Sequence, residues 1–248
     1  MGKGKVWLVG AGPGDPGLVT LRAFQVLQEA DVILYDRLVS EDVLKLANPV
    51  AERIYVGKDA GEQHRRQEEI LRLMLGLVQE GRNVVRLKGG DPMIFGRGGE
   101  EWRFLVERGV PVEVVPGVSS AIALPAMAGI PLTYRGYSAG FAVVSGHCRD
   151  GMDQDWARYA RVETLVVLMG VKNREGIADA LIRLGRDPSE PVCFIERGST
   201  PEERVIEATL GNVACGDVDV NPPAVWVIGK VAALRRVLSP VKEGCYAR

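Results

Sequence analysis

Histidine and cysteine are scarce in this 248-residue chain. There are two histidines, His64 and His147, and four cysteines, Cys148, Cys193, Cys215 and Cys245. No two cysteines form a Cys-x-x-Cys pair, so the spacing offers neither a zinc nor an iron–sulfur ligand set. Free thiols in a reducing compartment are the expected state. Long apolar runs are also missing. The basic start, Met1 to Lys5, leads into an apolar stretch that stops at Gly10, too short for a signal peptide or a membrane span. The weakly polar stretch 110–132 is interrupted by Pro116, Pro125 and Pro131. A cytoplasmic protein is therefore expected. Net charge is nearly absent, at −1. No global field draws the chain to nucleic acid or membrane, and any anionic ligand must be held by local Arg and Lys.

What the chain does have is apolar residues, 46% of the total against 25% charged, in proportions ordinary for a globular protein. That is enough to build a substantial core without covalent staples. Short apolar runs at 6–9, 32–35, 54–56, 84–87 and 112–115 predict buried strands. Helices are predicted between them at 20–30, 40–47, 67–80 and 98–108. In the first, Leu21, Phe24 and Leu27 recur about one turn apart. In the third, Ile70, Met74, Leu77 and Val78 share a face, and Gly81 follows its end. Alternation of this kind predicts βαβ units and a mainly parallel sheet. After a small-residue helix at 119–128 the pattern restarts. Strands are predicted at 141–144, 165–168, 192–195 and 225–228, with a helix at 174–184 on which Ile177, Leu181 and Leu184 fall in register. An extra strand at 205–207 makes the second sheet mixed. The stretch 129–140, rich in Gly, Pro and Ser, reads as a link between two α/β halves. The domains are placed at 1–116 and 117–240, with a tail at 241–248.

Three glycine-bearing turns follow strands. The first is Gly10-Ala11-Gly12-Pro13-Gly14-Asp15-Pro16-Gly17. A dinucleotide fingerprint starting at Gly10 needs its third glycine at position 15, where Asp15 stands. Pro13 has no N–H for a phosphate, and Asp15 adds negative charge where a pyrophosphate would sit. The turn suits close backbone approach to a ligand without phosphates, such as S-adenosylmethionine (SAM). It equally suits a tight βα turn with no ligand. The second is Arg86-Leu87-Lys88-Gly89-Gly90-Asp91-Pro92-Met93-Ile94-Phe95-Gly96-Arg97-Gly98-Gly99-Glu100-Glu101, whose glycines permit unusual backbone angles. Arg97 and Glu100, three apart near a helix start, are expected to face the same way, as a functional pair or as a solvated ion pair. The third is Pro116-Gly117-Val118-Ser119-Ser120-Ala121. Three such turns at three strand ends are expected to converge on one cleft.

These segments, with Tyr35-Asp36-Arg37-Leu38-Val39 and Ala128-Gly129-Ile130-Pro131-Leu132-Thr133, closely resemble the tetrapyrrole methylase family over roughly residues 4–235. Within it, the Tyr35 run and the Lys88 to Glu101 run look most like the members that add two methyl groups to uroporphyrinogen III. Their product, precorrin-2, feeds siroheme and cobalamin biosynthesis. The resemblance implies a homodimer of two α/β domains with SAM in the cleft between them and S-adenosyl-L-homocysteine as product. Carried over residue by residue, the SAM contacts are Pro13, Gly89, Gly90, Asp91, Ile94, Ser119, Ser120, Met169, Gly198 and Ala224. The chain departs from the family pattern in two places. It has Ser119-Ser120 where Thr-Ala is common, and Tyr134 before Arg135 where His is common. It also matches the methylase alone, without the dehydrogenase–ferrochelatase region fused to some homologues.

Uroporphyrinogen III carries eight carboxylates, and Arg37, Arg97 and Arg135 are the candidates to pair with them. His147, just after a strand, is a further candidate substrate contact. The sulfonium is already a good leaving group, so alignment of the reactants is the main catalytic demand. A proton must eventually leave the methylated ring, and Glu100, oriented by Arg97, is the candidate acceptor. Other readings are a methylase acting later on the corrin ring, a non-catalytic nucleotide-binding module, and a hydrolase built on Gly136-Tyr137-Ser138-Ala139-Gly140. That last motif needs a strand before it and a helix after it. Here a loop precedes and a strand follows.

Overall fold

A computed structural model describes residues 4–57, 67–147 and 154–239. The chain divides into two compact units, Met1–Ser120 and Ala121–Arg248. The division falls four residues after the expected boundary at 116/117, and the expected tail, 241–248, lies outside the described residues.

In the first unit five strands form one sheet: β1 (Val6–Gly10), β2 (Val32–Tyr35), β3 (Glu52–Tyr55), β4 (Val84–Lys88) and β5 (Val112–Val115). Their order is β3-β2-β4-β1-β5, and every pairing is parallel. Four helices accompany them: α1 (Leu21–Glu29), α2 (Glu41–Leu44), α3 (Gln67–Gln79) and α4 (Gly98–Val106). Both faces of the sheet are covered, which is why β1 and β2 are apolar along their length, while β3, at the sheet edge, begins on exposed Glu52 and Arg53. On one side Trp7, Val9, Ile33, Val85 and Leu87 pack with Ala23, Val26, Leu27, Val43 and Leu44 of α1 and α2. On the other, Val6, Leu8, Val32, Leu34 and Val84 meet Ile70, Leu71, Met74, Leu77, Val78 and Leu105 of α3 and α4.

The buried face of α1 differs from the expected one. Leu21 is 84% exposed and Phe24 43% exposed, while Ala23, Val26 and Leu27 are fully buried. The side chain of Thr20 caps the helix by accepting from the Ala23 N–H. The small Ala23 then lets the helix lie close to the sheet.

The second unit holds β6 (Phe141–Ser145), β7 (Thr164–Leu168), β8 (Pro191–Glu196), β9 (Arg204–Thr209) and β10 (Ala224–Ile228) in the order β6-β7-β10-β8-β9. Only β6 and β7 pair in parallel; the remaining pairings are antiparallel, so this sheet is mixed. One face packs on α6 (Arg174–Arg183) and α7 (Leu210–Ala214), through Ile177, Ala178, Leu181, Leu210 and Val213. The other packs on α5 (Ser120–Met127), through Ala121 and Leu124, and on the turn 230–234, through Val231 and Ala232. A short helix, α8 (Arg235–Leu238), follows. Stretch 129–140 is not a link between units. It belongs wholly to the second, where Ile130 is 1% exposed in the α5-side core.

Candidate functional site

Because all five strands of the first sheet run the same way, the segments after β1, β2, β4 and β5 leave from one edge. The two strands flanking β1, namely β4 and β5, lie on opposite sides of it, and chain connections diverge there. Such a switch point is where open α/β sheets bind ligands.

The glycines at this edge leave no room for side chains. A Cβ on Gly10 would fall 2.5 Å from the Gly117 Cα and 2.6 Å from the Gly90 carbonyl oxygen. Gly12 and Gly90 form an isolated antiparallel bridge, with the Gly90 N–H donating to the Gly12 carbonyl at 2.7 Å and the reverse bond at 3.2 Å. Gly90 adopts φ +66°, a left-handed angle that glycine takes without strain. Asp91 ties the second turn to the third. Its Oδ1 accepts from the Met93 N–H at 2.8 Å and its Oδ2 from the Gly117 N–H at 3.0 Å. The Ser40 hydroxyl reaches the Gly14 carbonyl at 2.6 Å, joining the segment after β2 to the first turn. Thus four segments, not three, converge. Pro13, Gly89, Gly90, Asp91, Ile94, Ser119 and Ser120 all lie on them.

The first turn also shows why phosphate is disfavoured. Asp15 Oδ1 accepts the Gly17 N–H at 2.7 Å, so a carboxylate already occupies a donor that a phosphate would need. Pro13 contributes no donor at all.

Arg97 and Glu100 do face each other. Arg97 caps α4 with φ +60°, and its Nε donates to Glu100 Oε2 at 2.9 Å. Glu100 beside it holds the guanidinium above its ordinary value. Both side chains are more than half exposed, so the pair contributes little to stability. Arg37 is exposed at the site edge and makes no ion pair among the described residues.

In the second unit β6, β7 and β8 end on one edge of the sheet and β10 begins there. Met169, Gly198 and Ala224 all lie on that edge, as does His147, two residues past β6. Left-handed angles gather there, at Met169 (φ +57°), Arg197 (φ +44°) and Ser199 (φ +62°). Non-glycine residues hold such angles only where their surroundings impose them, often at functional sites. A side chain at Gly198 would strike Leu124 at 2.6 Å, so packing against α5 is itself a reason for glycine there. Arg135 lies elsewhere. It sits on a hairpin bridged between Tyr134 and Ser138, at the amino-terminal ends of β6 and β7 and opposite the edge that carries His147.

The same hairpin disposes of a hydrolase. Ser138 is buried, donates to the Gly140 carbonyl at 2.7 Å and accepts from the Thr164 hydroxyl at 2.9 Å. Among the described residues its hydroxyl bonds only to backbone carbonyls and Thr164, and the strand β6, not a helix, follows it.

One charged cluster went unread in the sequence. Under the second turn, Arg86 and Lys88 project from one face of β4 and are 4% and 5% exposed. Glu101, on α4, is fully buried. Its Oε1 takes Lys88 Nζ at 3.0 Å, Arg86 Nε at 3.4 Å and Gln67 Nε2 at 2.8 Å. Arg86 Nη2 also reaches Asp36 Oδ2, after β2, at 3.3 Å. Burial and the Arg86 charge lower the Lys88 pKa despite Glu101. The signal was present: two cations at alternate positions of an otherwise apolar strand must share a face and need a buried carboxylate.

A family model for tetrapyrrole (corrin/porphyrin) methylases matches residues 5–214. Siroheme synthase 2 of Aeromonas hydrophila is 46% identical over 243 residues, covering 97% of this chain and 52% of that protein. The chain spans about half the length of the curated relatives it matches. Among solved structures, native uroporphyrin III C-methyl transferase from Thermus thermophilus is 56% identical with TM-score 0.83, covering 94% of each chain. The same enzyme complexed with S-adenyl homocysteine gives TM-score 0.82 at 56% identity, over 92% of this chain and 93% of that one. With a family match across most of its length, this chain belongs to the tetrapyrrole (corrin/porphyrin) methylases.

Proposed function

We propose that this chain transfers two methyl groups from SAM to carbon atoms of uroporphyrinogen III, giving precorrin-2. The observation that carries the reading is the edge where four strand-end segments meet around Gly10, Gly90 and Gly117. It occurs in a chain 56% identical to a uroporphyrin III C-methyl transferase solved with S-adenyl homocysteine.

In this reading Pro13, Gly89, Gly90, Asp91, Ile94, Ser119 and Ser120 of the first unit contact SAM. Met169, Gly198 and Ala224 are the contacts in the second. Asp91 is committed to two backbone N–H groups, so its role is to hold the turns in place. Bound there, SAM supplies an electrophilic methyl on a sulfonium. The chain's task is alignment, an effect able to supply roughly 7–11 kcal/mol. Arg37 pairs with substrate carboxylates, with His147 and Arg135 as the other proposed contacts. Glu100 holds the proton released by the ring and Arg97 orients it. The enzyme acts as a cytoplasmic homodimer in siroheme or cobalamin synthesis. No helix among the described residues is long and apolar enough to cross a membrane.

The test is anaerobic incubation with uroporphyrinogen III and SAM, followed by mass analysis. Two added methyls are expected. One or none transfers the reading to a methylase acting later on the ring, where the same SAM-binding turns would serve.

A further inference from the structure

We propose that Glu101 is a positioning residue: through Arg86 it fixes Asp36 after β2, and through its own helical turn it fixes Arg97 and Glu100. This inference rests on the function proposed above.

Four charges run from the interior to the site edge as Lys88, Glu101, Arg86 and Asp36. They balance, two positive and two negative. Arg86 is the joint. Its Nε faces Glu101, its Nη2 faces Asp36, and its Nη1 donates to the Leu87 carbonyl at 3.1 Å. Asp36 is pinned from the other side as well, its Oδ1 accepting the Leu38 N–H at 3.1 Å. Its side chain is 26% exposed, against 4% for Arg86 and none for Glu101. Only the outer end of the chain is therefore open to a ligand. Glu101 lies in the first turn of α4, next to Glu100 and four residues from Arg97, whose carbonyl accepts the Glu101 N–H at 3.2 Å.

The network is poor as a stabiliser. Oε1 of Glu101 receives three donors while Oε2, equally buried, has no partner among the described residues. A half-satisfied buried carboxylate returns less than well-packed apolar residues of the same volume would. What it does deliver is geometry, since it links segments 36–40 and 97–101 through one rigid guanidinium.

The experiment compares full-length wild type, Glu101→Gln and the charge-balanced Glu101→Gln/Lys88→Met. The double variant keeps Arg86 paired with Asp36 and serves if the single one does not fold. Three readouts are taken: amide exchange, adenosylhomocysteine affinity by calorimetry, and kcat and KM with uroporphyrinogen III. Amides of 36–40 and 97–101 are expected to exchange about tenfold faster in the variants, while those of β1 stay unchanged. The expected kcat loss is about 20-fold or more, with KM for SAM and adenosylhomocysteine affinity within about threefold. Adding Asp36→Asn to Glu101→Gln should cost less than the product of the single losses. Unchanged exchange at 36–40 and 97–101, or kcat within about twofold of wild type, overturns the inference, as does a uniform loss of binding, exchange protection and turnover. If wild type leaves uroporphyrinogen III unmethylated, the proposed function falls, and amide exchange still decides the role of Glu101.

Discussion

The Asp91 carboxylate accepts the backbone N–H of Gly117 at 3.0 Å, joining the end of β4 to the end of β5 across the end of β1. Its other oxygen holds the Met93 N–H at 2.8 Å. One side chain thus satisfies two backbone donors from two separate turns. Asp91→Ala leaves both donors without their acceptor, which costs about 1–3 kcal/mol where a group stays buried. Urea unfolding should show a loss in that range, and adenosylhomocysteine affinity should fall by about tenfold. Asp91→Asn replaces one acceptor by a donor aimed at a donor and should recover little of either. Full recovery by Asn would mean that only one of the two bonds matters.

Gly10 and Gly117 stand back to back, and the constraint is space rather than backbone angle, since neither has a left-handed φ. Gly117→Ala must push two turns apart. The expected outcome is a loss of about 1–3 kcal/mol and of measurable cofactor binding. Gly76→Ala is the contrasting case. Its Cβ meets nothing within 4 Å, and it lies inside α3. There alanine should raise stability by about 0.5–1 kcal/mol through helix propensity alone. Chemical denaturation of the two variants side by side checks both signs.

Much of this was legible before any coordinates. Short apolar runs made all five strands of the first sheet readable, although β3, at the sheet edge, begins two residues early on exposed Glu52 and Arg53. The convergence of the turns after β1, β4 and β5 was readable as well. The misreadings have physical causes. Leu21 and Phe24 keep helical spacing with Leu27, but Ala23 and Val26 are the residues that meet the sheet, and small residues carry little pattern. Helix α7 is only five residues long, and its signal is the Thr209–Asn212 capping box, not a periodicity. Stretch 129–140 has the composition of a link because it turns sharply, yet Ile130 and Ser138 inside it are buried. The fourth converging segment, 36–40, has no glycine to mark it. Its attachment depends on Ser40 and on Arg86, a residue fifty positions away.

Lys88 gives a pH signature. Burial lowers its pKa below the ordinary 10.5, so between the lowered value and 10.5 the native state binds fewer protons than the unfolded chain. Stability contributed by this group therefore rises with pH across that window, and at lower pH its buried charge is a constant cost. Lys88→Met lacks the effect. Urea unfolding of both proteins between neutral pH and pH 10 should show the difference moving in favour of wild type as pH rises. A difference that is flat, or that moves the other way, would mean that Lys88 titrates at or above its ordinary value in the native state.

Arg37 and Arg135 are both exposed cations, one on each unit of the chain. Arg37 follows β2 at the edge where the glycine turns meet. Arg135 rides a hairpin at the amino-terminal ends of β6 and β7. Arg37→Ala should raise KM for uroporphyrinogen III by about tenfold, with the effect shrinking as salt is added, because a surface charge pair is screened. Adenosylhomocysteine affinity should not change. Arg135→Ala should raise KM by about the same factor only if substrate carboxylates extend to that hairpin. A KM within about twofold of wild type would remove Arg135 from the substrate contacts and leave the proposed function standing.

Glu100 decides whether the exposed pair on α4 has a chemical role. As a surface ion pair with Arg97 it contributes at most about 1 kcal/mol, so Glu100→Gln should leave the unfolding midpoint nearly unchanged. As the group that receives the ring proton, it should carry an acid–base contribution of about 100-fold or more in kcat. The glutamine keeps the shape and an acceptor oxygen but takes up no proton. A large fall in kcat with unchanged adenosylhomocysteine binding assigns Glu100 to the proton-transfer step. Arg97→Ala should then reproduce only part of the loss, because it removes the orienting partner and leaves the carboxylate. Normal turnover in Glu100→Gln would reduce the pair to surface electrostatics, and the proton acceptor would have to be sought at another carboxylate of the same edge, with Asp36 the first to replace.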